Sequence, residues 1–555
     1  MAVTLLATSC SDVLDIAPSD RFSPTTVWST QTTTDSYVNG FYAVFRDNAE
    51  LYNSGAYGPW LSDAFSDILK STSWDMFNHP YNKTLLQMTA FNSQSAGAFE
   101  CWDGHYGRIR RQNEFLRDAS TYGAKFNTDE DNDPATPTWI QVREAEVRFC
   151  RAYAYYMLCR VYGGVILRTE VDGPEQNDRA RSSEADCWNF VITELQEAAE
   201  ILPTSWDNSN RGRATKKAAY ALLSRVALYA EQWDVAAQAA RDTETAGGQL
   251  DVSNADNYVN RFTNVFGSNI GNAEICFAVD FNANIIGHYY DAYMRPSGDT
   301  YGTSVYSVIV PTGELADSYE MADGTPFSWT THGSNPYTGR DPRFYATILY
   351  NGADWMGRKI ESYVGGADGF KEYVNAGSAN TTVSGYYLRK YLRDGDRSWV
   401  NAGKSGQYWI LIRYAEVLLN KAEALAQLNW SANSVEALKA LNDVRGRVGL
   451  PARSTTDKDI FLGYVRQERV VELAGEGLRY WDLRRWKLAE DVINEKSAHG
   501  VKITKTGSAP DTYNYEQVEI DAGEKRIFYD RYYKFAIPES ERSKNKLCDN
   551  NDGWI

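Results

Sequence analysis

Apolar residues recur at spacings of three and four in two separated blocks of this 555-residue chain, and that pattern constrains the fold more than any other feature. Over 139–162 the stripe runs Val142, Ala145, Phe149, Ala152, Tyr156 and Cys159, one dry face of an amphipathic helix. Gly163-Gly164 then supplies a C-cap-like stop. Ala218, Leu222, Val226 and Tyr229 repeat the pattern over 214–230, and an Ala-rich stretch over 233–246 ends at Gly247-Gly248. The pattern lapses from about 250 to 405. Leu411, Tyr414, Leu418, Ala422 and Leu425 resume it, and 435–448 and 460–473 supply two further helices. Helices with one dry stripe must bury it against one another. Their lengths, with small Ala at the crossings, suggest tetratricopeptide-type pairs, although the repeat consensus itself is not met.

The interruption has a different texture. It is rich in Gly, Asn, Ser, Asp and Tyr, with short β-like pieces such as Glu274-Ile275-Cys276-Phe277-Ala278-Val279, and residues 51–99 share it. Insertions of this kind map to loops on one face of a helical solenoid. Loops held by a rigid scaffold are where binding residues concentrate.

The densest block of the chain is 468–486, which packs Glu468, Glu472, Gly475, Glu476, Gly477, Arg479, Trp481, Asp482, Arg484 and Trp486 together. Glu472, Glu476, Arg479, Asp482 and Arg484 are expected to form a partly buried ion-pair network, with Gly475 and Gly477 letting backbones approach. Glu416 and Glu423, seven apart on one helix face, read as partners of arginines on a neighbouring helix rather than as an acid–base couple. Other landmarks accompany this block in order. They are Leu6-Ala7-Thr8-Ser9-Cys10-Ser11-Asp12, then Arg143-Glu144-Ala145-Glu146-Val147-Arg148-Phe149, then Gly212-Arg213-Ala214-Thr215. Arg413-Tyr414-Ala415-Glu416-Val417-Leu418-Leu419-Asn420 follows, and the chain closes with Phe535-Ala536-Ile537-Pro538 and Asn550-Asn551-Asp552-Gly553-Trp554.

Taken together these segments resemble the SusD/RagB outer-membrane lipoproteins of Bacteroidota, over nearly the whole chain. The resemblance implies an all-α, SusD-like fold of four tetratricopeptide-like helix pairs with a long irregular, loop-rich insertion. Here the pairs would be 100–120 with 139–162, 184–203 with 214–230, 233–246 with 408–428, and 433–448 with 460–475. It also implies one domain over 11–555 after a truncated lipoprotein signal at 1–10, with the scaffold at about 100–246 and 408–486 and the ligand face at about 51–99 and 250–405. Functionally it implies a non-catalytic receptor at the cell surface that hands its cargo to a SusC-like TonB-dependent transporter.

Composition agrees with an extracellular binder. A net charge of −16 argues against nucleic acid, whose phosphates need clustered Lys and Arg. Seven cysteines in 555 residues do not make a disulfide scaffold. Cys150 and Cys159 lie nine residues apart on one helix, about 13 Å along its axis, too far to bond. Cys10 is the expected lipidation site, although Leu6 stands four residues before it where an aliphatic residue three before is usual. Acyl chains at ~0.8 kcal/mol per buried CH₂ would anchor the protein durably. No stretch is long enough to span a bilayer.

No cofactor is expected. Asp129-Glu130-Asp131-Asn132-Asp133 alternates carboxylates as calcium loops do, but Pro134 replaces the turn glycine and Ile140 the bidentate glutamate, so at most a casual Ca²⁺ is expected. Five scattered histidines and no Cys-x₂-Cys pair leave no recognisable zinc site.

The aromatic loops carry the functional expectation. One cluster holds Trp74, Asn78 and Tyr81, a second Tyr289, Tyr290, Tyr293, Arg295, Asp299 and Tyr301, and Trp329 follows in a third loop. A pyranose has apolar C–H faces and a polar rim, so rings cover the faces while Asn and Arg bond the hydroxyls. Shielding roughly 50–80 Å² at ~25 cal/mol/Å² is worth about 1–2 kcal/mol per ring. The expected ligand residues are Trp74, Asn78, Tyr81, Tyr290, Tyr293, Arg295, Tyr301 and Trp329, with an oligosaccharide as ligand. A peptide receptor of the RagB type is the alternative; it would need fewer stacking rings and more backbone-bonding amides.

Overall fold

The computed structural model describes residues 24–51, 61–72, 91–127, 136–171, 173, 178–254, 256–267, 270–299, 305–372, 381–395, 397, 403–507 and 512–554. Its long helices are α1 (Gln31–Phe41), α2 (Trp102–Tyr122), α3 (Trp139–Tyr162), α4 (Glu184–Ile201), α5 (Lys216–Tyr229), α6 (Trp233–Thr245), α7 (Tyr414–Arg447) and α8 (Lys458–Leu473). From α2 onward each packs on the next, so the four expected pairings are those observed. Helix α7 is two helices in one run: Asn429 leaves helical conformation (φ −167°, ψ 97°). Its second half reaches α8 through Trp430 on Phe461 at 4.8 Å and Arg445 on Glu468 at 2.8 Å.

Local chemistry sets these ends. Thr138 and Gln141 form a reciprocal capping box that opens α3, and Gly163 closes it at φ +75°. Helix α3 departs from the one-sided stripe, because it is buried on nearly every face. Its charges survive burial by pairing: Glu146 accepts from Arg143, Arg213 and Tyr42, and Arg151 pairs with Glu194.

Two boundaries differ from the sequence reading. Leu411 does not begin a helix. Trp409–Arg413 is a strand, antiparallel to Ile275–Val279, and α7 starts at Tyr414. Its run of Trp409, Ile410, Leu411 and Ile412 is apolar on both sides, as suits a strand buried on both faces. The insertion is also more structured than a loop. It contains short helices at Tyr258–Val265, Tyr290–Met294, Gly313–Ser318 and Pro342–Thr347, and a strand Ile309–Pro311 that pairs with Leu69–Ser71. Near the C-terminus, His499–Lys505 and Tyr513–Glu519 form a hairpin.

One hydrophobic cluster runs through all these segments, from Val27 to Trp554. Among the described residues six cysteines are unpaired, Cys101, Cys150, Cys159, Cys187, Cys276 and Cys548, and all but Cys101 are buried.

The 468–486 block is ionic as expected, but its partners lie elsewhere in the chain. Glu472 accepts from Arg343 and Arg413 at 2.8 and 2.6 Å and also pairs with Arg447; all four side chains are buried. Burial pushes the Glu472 carboxyl up, but the guanidiniums of Arg447, Arg413 and Arg343 together hold it well below the usual range. Glu476 takes Arg413 and Lys390, and Arg479 takes Asp67. Asp482 alone of the five pairs inside the block, with Arg469 and Arg485. Arg484 meets rings rather than carboxylates, lying over Trp481 and Phe535. Glu416 and Glu423 do pair with arginines, Arg225 from α5 and Arg485.

Candidate ligand face

The pairing of Leu69–Ser71 with Ile309–Pro311 positions the candidate site. Ser71 lies opposite Ile309, and the Thr72 N–H donates to the Val308 carbonyl at 2.9 Å. Segments 73–90 and 300–304, which carry the expected Trp74, Asn78, Tyr81 and Tyr301, therefore attach to the same end of one strand pair. Those four residues lie outside the described residues, as do Cys10 and the acidic run Asp129-Glu130-Asp131-Asn132-Asp133.

The single-turn helix Tyr290–Met294 lies beside this strand end. The Tyr306 and Val308 amides donate to the carbonyls of Ala292 and Tyr293 at 3.1 and 2.8 Å. Tyr293 stacks on Tyr306 with centroids 4.6 Å apart and planes 23° from parallel, and Tyr289 meets Tyr293 edge-on at 5.8 Å. Tyr289 and Tyr306 are half-buried, and Tyr293 is 6% exposed. Three phenols thus make a ledge, wet at its two outer rings. Burial first, then the neighbouring phenols of Tyr306 and Tyr289, push the Tyr293 hydroxyl pKa up, so it stays neutral and can both donate and accept.

The structure places Tyr290 and Arg295, both expected to meet ligand, inside the protein. Positions 289 and 293 are four apart and share one side of the helical turn, whereas 290 points into the core. The Tyr290 hydroxyl donates to the Lys390 carbonyl at 2.8 Å. Arg295 donates to Asp291 at 3.2 Å and to the Arg393 carbonyl at 3.1 Å, and lies over the Trp355 ring. Behind it, Asp299 accepts from Trp355 at 2.8 Å and from Arg358 at 2.6 Å. These buried groups fix the loop that presents the ledge. Trp329 sits in a different aromatic group, edge-on to Phe327, with its N–H donated to Asp317 at 2.8 Å. Burial raises Asp317 to about 6 despite that bond. Tyr306 has no helical or motif context, and sequence reasoning passes over it; its one signal is that it follows a Tyr-rich run.

Among the described residues there is no group of His, Cys, Asp and Glu able to hold a metal ion, and no helix long and apolar enough to cross a membrane.

Stacked tetratricopeptide-like helix pairs that carry an aromatic face on inserted segments define the class: helical-repeat scaffolds with loop-borne sites. The chain belongs to the SusD family. The model described as the SusD family matches residues 251–554, more than half of the chain, and one described as starch-binding, associating with outer membrane, matches residues 12–228. The chain is 27% identical over 406 residues to the SusD-like protein P2 of Formosa agariphila, covering 71% of this chain and 72% of that one. Among solved structures it is similar to a SusD-like protein from Bacteroides fragilis (TM-score 0.79, 28% identity, 95% of this chain and 98% of that one). A SusD-like carbohydrate-binding protein from the same species has a TM-score of 0.76 at 26% identity, covering 94% of this chain and 99% of that one.

Proposed function

We propose that this protein captures oligosaccharides at the outer surface of a bacterial outer membrane, held there by lipid on Cys10, and passes them to a SusC-like TonB-dependent transporter. It acts by binding and not by catalysis. The carrying observation is the phenol ledge of Tyr289, Tyr293 and Tyr306, set at the strand end to which segments 73–90 and 300–304 attach. Phenol rings cover sugar C–H faces while their hydroxyls reach the polar rim. Two or three rings at about 1–2 kcal/mol each, with a few hydrogen bonds, give micromolar to millimolar affinity, about −4 to −8 kcal/mol. Weak, repeated capture of a polymer suits delivery to a transporter, since release must follow. The starch-binding description of one matching model and the carbohydrate-binding relative support the reading.

The test is native affinity electrophoresis of protein lacking residues 1–10 through gels containing single polysaccharides. Retardation by one of them, lost in Tyr306→Ala and weakened in Tyr289→Ala, is the expected result. Trp74→Ala asks whether segment 73–90 joins the same site. No retardation by any glycan, with a peptide pool binding instead, would sink the carbohydrate reading in favour of a peptide receptor.

A further inference from the structure

The helix that carries the ledge has a second side. Tyr290 packs edge-on against Tyr391 at 6.2 Å, and Tyr391 walls a cavity of about 670 Å³. That volume falls within the ~300–1,000 Å³ of small-ligand pockets. One wall is the helix Tyr258–Val265 with the turn after it, including Asn260 and Phe266; the other is the segment from Arg389 to Asp394.

Two residues of this lining are unusual. The first is Arg389. It is half-buried, yet among the described residues its guanidinium makes one hydrogen bond, to the Tyr345 carbonyl at 2.9 Å, and has no carboxylate at ion-pair distance. Burial lowers its pKa, and Asp394, Tyr350 and Asp354 counter this only in part. The second is Tyr391. Its backbone is left-handed at φ +67°, a conformation that opposes an L-residue with a bulky side chain. Its ring is 1% exposed and its hydroxyl has no hydrogen-bond partner. Strain and an orphaned buried donor in one residue are features that persist at ligand clamps.

The remaining charges narrow the chemistry. Lys390 is taken by Glu476 at 2.9 Å, and Arg393 by Gln407 at 2.5 Å. Asp394 stands exposed at the rim and accepts from the Met356 amide at 3.1 Å. With Lys390 neutralised by Glu476, Arg389, Arg393 and the one carboxylate of Asp394 set the charge of this lining, in a chain whose net charge is −16. Phe266 meets Tyr391 edge-on at 5.0 Å and adds an apolar surface, and Asn254 and Asn260 add exposed amides.

The geometry points to a second carbohydrate site in this cavity, for a sugar unit that carries one anionic group. Arg389 would take the anionic oxygens, whether of a carboxylate or of a sulfate ester. The amides of Asn254 and Asn260 would take ring hydroxyls, and Phe266 an apolar edge. The inference rests on the glycan reading and adds to it a requirement for charge.

Isothermal titration of the protein with trigalacturonate, its neutral methyl ester, a sulfated carrageenan tetrasaccharide and the desulfated form tests it. One acidic ligand should bind roughly ten- to a hundredfold more tightly than its neutral counterpart, the range of a charge-assisted bond, and added salt should weaken it. Which of the two acids binds identifies carboxylate or sulfate as the natural group. Arg389→Gln should abolish the preference. Asn260→Asp, at an exposed position, should weaken the acidic ligand more than its neutral counterpart. Tyr306→Ala should leave the charge preference intact. Equal binding of acidic and neutral forms, or a preference that survives both Arg389→Gln and Asn260→Asp, overturns the inference while ledge binding of neutral glycans stands. Failure of every glycan overturns both readings.

Discussion

Glu50 and Asp63 meet the Gly475-Glu476-Gly477 turn in the core, and among the described residues no cation pairs with either. Asp63 accepts the amides of Gly475, Gly477 and Arg479 at 2.9, 3.2 and 2.9 Å, and Glu50 accepts the amide and hydroxyl of Ser62. Both glycines are left-handed, at φ +75° and +74°, and a Cβ on Gly477 would lie 2.3 Å from the Glu50 carboxylate. Glycine at 477 is thus required twice, by conformation and by space. Burial and the neighbouring Asp63 raise Glu50 to about 8, and burial raises Asp63 to about 6 against the pull of its three amides. The folded chain then holds protons that the unfolded chain has lost above pH about 4.5. Stability contributed by these acids is full below that pH and falls as pH rises toward 8, by up to ~1.4 kcal/mol per pH unit for Glu50. The urea midpoint should decline from pH 5 to 7.5 in the wild type and decline less in Glu50→Gln. Parallel slopes for the two proteins would remove Glu50 from the account.

At the scale of elements, α7, α8 and the strand Trp409–Arg413 are joined by ions as much as by apolar contact. Glu472 on α8 is the carboxylate that Arg343, Arg413 and Arg447 share. Glu472→Gln leaves three buried guanidiniums short of one charge and should cost ~3–5 kcal/mol in denaturant unfolding. Asp443→Asn, on the exposed pair with Lys439, should cost less than ~1 kcal/mol. Similar values for the two would mean that solvent reaches the buried lattice. These contrasts show what was legible beforehand. The long helices are readable from the period of three and four in their apolar residues, a period that does not show that α3 is buried on nearly every face, and their order gives the pairing. From sequence alone Leu411 reads as the start of a helix, whereas Trp409–Arg413 is a strand, since a short, fully apolar run carries no period of its own. Block 468–486 announced ions but not partners, because Arg343 and Arg413 come from distant parts of the chain. At the site, the Tyr-rich run located the ledge. Which tyrosines face outward depended on the turn at Tyr289, and Tyr306 reaches Tyr293 through backbone pairing that no local pattern encodes.

In the whole molecule, segments far apart in the sequence are interleaved. The Asn551 amide donates to the carbonyls of Tyr162 and Phe535 at 2.8 and 2.7 Å, closing the end of α3 with the final residues. Phe535 packs against Phe91 and Phe99, and its amide donates to Val161. Lys70 pairs with Asp521, and Arg479 with Asp67, each across some 400 residues of chain. Asn551→Ala leaves two buried carbonyls unpaired and should cost ~1–3 kcal/mol in thermal or urea unfolding. A variant as stable as the wild type would show that water replaces the amide. The same clasp bears on how the protein is made. Asn551 follows Tyr162 by 389 residues, so during synthesis the end of α3 waits uncovered while the intervening scaffold is made.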